Sequence, residues 1–130
     1  MTATPDGSPR GARLSVNVAS AGPWVTVELC GELDVATAPA LLDRVGLLIA
    51  QETPPRIALQ LSQVSFCDSS GVNAFIRLWK RVSAVGGELV VLRPRPRLAE
   101  LLARIGLDRY LRVVDAPPDV SGGETTAELG

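Results

Sequence analysis

The 130-residue chain contains no histidine. Without an imidazole there can be no Ser–His–Asp triad, no Cys–His dyad and few of the usual zinc-ligand sets. Aromatic residues make up only 4% of the chain, so the core has to be built from Leu, Val, Ile and Ala. Two cysteines, Cys30 and Cys67, each sit in or beside a strand-like run. They read as small apolar residues, and their spacing supports neither a metal site nor a disulfide. The net charge is −1, so no overall field favours nucleic acid or an anionic membrane as partner. No apolar run approaches the roughly 20 residues of a membrane span. Met1 to Ala12 lacks the apolar stretch of a signal peptide, which makes the cytoplasm the expected location. Phosphate-binding glycine loops of the common types are missing too. These absences predict a protein that is not an enzyme and needs no cofactor or metal.

What remains fits one α/β domain. Residues 1–12 read as a disordered lead, 13–115 as the domain, and 116–130, rich in Pro, Gly, Ser, Thr and acid, as a disordered tail. Leu14, Val16 and Val18 alternate with polar or small residues as a half-buried strand. Ser20 to Pro23 turns the chain into a second strand, Trp24–Gly31, so the first pair is an antiparallel hairpin. Thr37 is placed to cap a helix running to about Gln51, with Leu41, Leu42, Val45, Leu48 and Ile49 on one face. Arg56–Leu61 is a third strand. Val72–Val85 is a helix whose apolar surface is wider than one sheet face needs. Leu89–Leu92 is apolar on both faces, the mark of a strand covered on both sides. Arg93–Arg97 is a loop, followed by a short helix with Leu98, Leu101, Leu102 and Ile105 inward. Gly106-Leu107 ends that helix, and Leu111–Val114 is a last strand. The order ββαβαβαβ predicts a mixed, mainly parallel sheet with right-handed crossovers.

This topology brings the chemistry to one place. Asp34 follows the second strand, and Asp68-Ser69-Ser70-Gly71 lies between the third strand and its helix. Both fall on the carboxyl edge of the sheet, where sites tend to lie in open α/β folds. If the two strands are neighbours, the acids and the serine are close together. A serine at a helix start has two compatible roles. It can cap the helix, or it can carry a phosphate that the helix end tolerates. Gly71 and Val72, in the first helical turn beside it, are candidate partner contacts, whereas Phe75 and Trp79 read as core. The arginines Arg93, Arg95 and Arg97 read as a solvated loop, with an acidic-partner or phosphate site as the alternative.

Gly31-Glu32-Leu33-Asp34 followed by Thr37-Ala38 resembles the first loop of STAS domains. Phe66-Cys67-Asp68-Ser69-Ser70-Gly71 resembles the phosphorylation loop of the anti-sigma factor antagonists in that family. Gly86-Gly87-Glu88-Leu89-Val90-Val91 and Ile105-Gly106-Leu107 fall at the family's intervals, so the resemblance spans about Leu14 to Val114. It implies an antagonist that binds an anti-sigma factor with serine kinase activity and so frees a sigma factor. Phosphorylation of Ser69 would switch it off and a serine phosphatase would reset it. Ser70 matches the neighbouring hydroxyl and Asp34 the acid of the first loop, with Asp68, Gly71 and Val72 completing the switch loop. Two departures are visible: Arg95 stands where relatives often have a small capping residue, and 117–130 does not look able to form the C-terminal helix that relatives often carry. The same family also implies an alternative, an interaction subunit of a lipid-transport or signalling assembly without a phosphorylation cycle.

Overall fold

A computed structural model describes residues 13–51 and 54–117. The expected lead, and the tail from 118 with its missing helix, lie outside the described residues.

Five strands form one sheet in the order β1-β2-β3-β4-β5: Leu14–Ala21, Trp24–Leu33, Arg56–Cys67, Glu88–Leu92 and Arg112–Val114. β1 runs antiparallel to β2, and every later neighbour is parallel. The helices are α1 (Ala38–Gln51), α2 (Ser69–Ala84) and α3 (Pro96–Arg104), with a 3-10 turn at Leu107–Arg109. The hairpin turn is tighter than the expected four residues. Ala21 pairs with Trp24, leaving only Gly22, at φ 64, and Pro23 to reverse the chain.

A strand order that advances one place at each crossover, always right-handed, puts every helix on the same face. The core shows this. Leu41 and Val45 of α1, Phe75, Leu78 and Val82 of α2 and Leu98 and Leu102 of α3 share one cluster with Val27, Leu29, Leu59 and Val91. The wide apolar surface of α2 serves this cluster, and Trp79 rests against the ring of Tyr110 at 5.2 Å. Leu89–Leu92 is buried on both faces as expected, but only one of them faces helices. On the other, Val90 and Leu92 join Trp24 and Ala58 in a small second cluster. Trp24 is buried there, its Nε1 without a hydrogen-bond partner among the described residues. Ile105 departs from the expected inward face of α3. It is the C-cap residue and stays exposed.

The sheet is uneven in length, and this shapes the site. β3 continues to Cys67, six residues beyond the strand expected from its alternating apolar set. β2 pairs with it as far as Leu33↔Cys67, whereas β4 pairs with β3 only from Arg56 to Gln60. Past Gln60 the sheet narrows to β1, β2 and β3, and past Gly31, the last β2 residue that β1 pairs, β2 and β3 project alone as a two-stranded ribbon. Register shifts between Glu28 and Cys30 and between Gly31 and Glu32 twist this narrowed end.

Candidate partner-docking and switch site

The tip of that ribbon gathers the residues expected to act. Because Leu33 pairs with Cys67, Asp34 and Asp68 leave adjacent parallel strands at the same level. The Asp68 amide donates to the Leu33 carbonyl at 3.1 Å, which ties the two exits together.

Asp34 organises the loop into α1. Its Oδ1 accepts from the Ala36 amide at 2.9 Å and the Thr37 amide at 3.1 Å, and its Oδ2 is paired with Arg13. Thr37 precedes the helix as expected, but its hydroxyl does not cap it. The hydroxyl points back into the loop, donating to the Glu32 carbonyl at 2.8 Å and accepting from the Asp34 amide at 3.0 Å. Desolvation opposes the charge on Asp34. The hydrogen bonds from Thr37 and Ala36 and the Arg13 guanidinium outweigh it, so the carboxyl titrates below its ordinary value. A depressed folded-state pKa contributes stability that is complete above the unfolded value and is lost as pH falls through the folded one. Asp34→Asn should therefore flatten the acid limb of stability below about pH 4 and leave the curve near neutrality parallel to wild type, as read by melts across pH.

Asp68 is the N-cap of α2, with extended backbone at φ −106 and ψ −167. Its Oδ1 accepts from the Ser70 amide at 2.8 Å and, more loosely, from the Gly71 amide at 3.4 Å. The helix therefore starts at Ser69, three residues before the expected Val72, and a carboxylate does the capping that a serine was expected to share. Asp68→Ala should lose about 1 kcal/mol, whereas Asp68→Asn, which keeps an acceptor oxygen, should lose less. Thermal melts of the two variants separate the cap from the charge.

With the cap assigned to Asp68, Ser69 is released from structural duty. It is exposed in the first position of α2, and its hydroxyl has no hydrogen-bond partner among the described residues. Ser70 is half-buried. Gly71 and Val72, expected as partner contacts, are buried, so their side of the helix faces inward. A Cβ on Gly71 would come within 2.6 Å of Cys67 Sγ and 2.9 Å of Leu33 Cβ, so glycine lets the helix sit down on the ribbon tip. Cys67 is half-buried, and burial followed by the Asp68 charge pushes its thiol up to about 12, which leaves it an unreactive thiol. The two cysteines are free.

Two apolar residues at this tip were not singled out from sequence as contacts. Val35 is 75% exposed and Phe66 is 49% exposed, on the two strand exits beside the acids. Their signal was available: large apolar residues next to polar turn residues that no core periodicity claims. No group of three or more His, Cys, Asp or Glu suited to a metal ion occurs among the described residues, nor is any helix there long and apolar enough to cross a membrane.

A family model described as STAS domain matches residues 15–119. The chain belongs to the STAS domain family. The anti-sigma-B factor antagonist of Bacillus subtilis (strain 168) is 32% identical over 76% of the chain and 86% of its own length. Among solved structures, the anti-sigma factor antagonist SpoIIAA in its unphosphorylated form shares the fold with a TM-score of 0.71 at 21% identity, over 88% of this chain and all of that one. The Bacillus cell fate determinant SpoIIAA in the phosphorylated form aligns with a TM-score of 0.64 at 24% identity, over 82% of this chain and 96% of the other. The first two of these relatives are named for antagonism of an anti-sigma factor, a regulatory binding activity.

Proposed function

We propose that the chain is an anti-sigma factor antagonist switched by phosphorylation of Ser69. In the unmodified form it binds an anti-sigma factor that is also a serine kinase, in the cytoplasm, and so frees a sigma factor. Phosphate on Ser69 ends that binding and a serine phosphatase restores it. The observation that carries this reading is the division of labour at the start of α2. Asp68 holds the helix, leaving the Ser69 hydroxyl exposed and unbonded, as a phosphoacceptor has to be. The names of the relatives support the antagonist part. The docking surface is the ribbon tip, with Asp34, Asp68 and Ser70 around the acceptor and Val35 and Phe66 supplying apolar contact. Gly71 and Val72 act from beneath by fixing the loop. No cofactor, nucleic acid or membrane enters the cycle.

Incubation with ATP and the cognate anti-sigma factor, followed by intact mass and site mapping, tests the assignment. Wild type and Ser70→Ala should each take one phosphate, and Ser69→Ala none. A phosphate mapped to Ser70 would refute the choice of residue. No phosphate at all, with wild type instead recovered in a stable larger assembly, would support an interaction subunit without a phosphorylation cycle.

A further inference from the structure

Where β4 stops, the β4-facing edge of β3 runs on without a strand partner among the described residues, from beyond Gln60 to Cys67. α3 crosses in front of this edge, and a groove of about 630 Å³ remains between them. Val64, Phe66 and Leu101 line it together with Arg95, Arg97 and Arg104, and Glu100 is its one acid. Arg95 stands at the N-cap of α3 without capping it, and its guanidinium Nε instead donates to the Ser62 carbonyl at 2.9 Å on the open edge. None of these arginines is in an ion pair among the described residues, where the only pairs are those of Arg13. The groove thus combines unpaired strand edge, apolar floor and excess positive charge. That combination suits an extended acidic peptide, which takes main-chain bonds from the edge and charge from the arginines.

We propose that the occupant is the chain's own acidic segment, residues 118–130, docked in cis. That segment contains Asp119, Glu124 and Glu128 and no basic residue. It departs from the groove's own end of the sheet: β5 finishes at Val114, whose carbonyl accepts from the Arg93 amide at 3.0 Å, at the head of the arginine loop. At about 3.3 Å per extended residue the segment reaches roughly 40 Å, several times the ~14 Å length of α3. Tethering at that distance gives an effective concentration in the millimolar range, so weak charge-assisted contacts suffice. The lead is a poorer occupant. It carries one acid and one base, Asp6 and Arg10, and enters beside Glu32, across the ribbon from the groove. Docking is independent of the antagonist reading.

The test is NMR on the full chain. Asp119→Asn, Glu124→Gln and Glu128→Gln together should shift the amide resonances of Phe66, Arg97, Leu101 and Arg104 at low salt, with Leu47 unmoved. At about 0.5 M salt, where screening acts within a few ångströms, the wild-type spectrum should converge on that of the variant. Arg97→Gln with Arg104→Gln, both at exposed positions, should shift the resonances of the segment itself. Groove amides that respond to neither set of changes would overturn the proposal. So would shifts that fade on dilution, which would place the segment on a second copy, or shifts centred on Thr26 and Gln60, which would place it on the helix-free face.

Discussion

Ser69→Asp and Ser69→Glu are expected to bind the cognate anti-sigma factor about a hundredfold more weakly than Ser69→Ala, with melting temperatures little changed in all three. The reason lies in what already surrounds the hydroxyl. Asp68 and Asp34 leave adjacent strand ends, so a partner that fits this tip fits an acidic surface. A phosphate adds about −1.5 to −2 charges and a bulky group at its centre. One unit of repulsion at ~4 Å is worth about 4 kcal/mol at an effective dielectric near 20, and even ~3 kcal/mol gives the hundredfold loss. A helix start is often said to welcome a phosphate through its free amides. Here Asp68 has already taken the Ser70 and Gly71 amides. The new anion is left with the Ser69 amide and the dipole, the latter worth under about 1 kcal/mol, and Asp68 repels it. It therefore turns outward toward the partner, and the fold is kept because Ser69 is exposed, not because the helix binds the phosphate. Titration of each variant against the anti-sigma factor, beside a thermal melt, decides the matter. Acidic variants that bind as tightly as Ser69→Ala, or a phosphorylated protein that unfolds, would refute the mechanism.

The meeting of Asp34 with Asp68 was legible in the sequence because it depends only on chain order. Alternating strands and helices make β2 and β3 parallel, and parallel neighbours deliver their exits to one edge. The same order carried a second message, that every helix lies on one face. The doubly apolar Leu89–Leu92 run pointed the other way, because its second face is filled by strand side chains around Trp24 rather than by a helix. The length of β3 was hidden for a local reason. Gln63 and Ser65 break the apolar alternation, and what keeps the strand going past them is the pairing of Gln63, Val64, Phe66 and Cys67 with β2, which is a long-range fact. The start of α2 was hidden by composition. Ser69-Ser70-Gly71 has turn chemistry, yet the Asp68 cap and the closeness of Gly71 to Cys67 and Leu33 make it helix. Exposure of Phe66 showed in the sequence only as a large apolar residue beside polar turn residues, because the end of its strand had not been placed.

Gly31→Ala is expected to be the most destabilising of these single changes, losing about 3–4 kcal/mol and lowering the melting temperature by more than about 10 °C. Two independent penalties coincide there. Gly31 has φ 120, a conformation that L side chains rarely adopt, which costs on the order of 1–3 kcal/mol. A Cβ would also lie 1.9 Å from the Arg13 carbonyl oxygen and 3.2 Å from Leu14 Cα, which is backbone and cannot rotate aside. The start of β1 would have to move, at an overpacking cost of similar size. That movement reaches the site. The Arg13 carbonyl accepts from the Glu32 amide at 2.9 Å, and its guanidinium is paired with Glu32 and Asp34. Displacing Arg13 removes the cation that helps hold Asp34 ionised, so the variant should bind the anti-sigma factor less well even at temperatures where it remains folded. Gly106→Ala separates the two penalties. Gly106 is also left-handed, at φ 78, but nothing lies within 4 Å of its Cβ position, so it should lose only about 1 kcal/mol. Arg13→Ala separates the site from the fold, because it removes the ion pairs and leaves the Arg13 carbonyl in place. Denaturant melts of the three variants, with partner titration beside them, give the comparison. A Gly31→Ala protein no less stable than Gly106→Ala would show that β1 yields at little cost, and that its close approach to β2 does not hold the switch edge in shape.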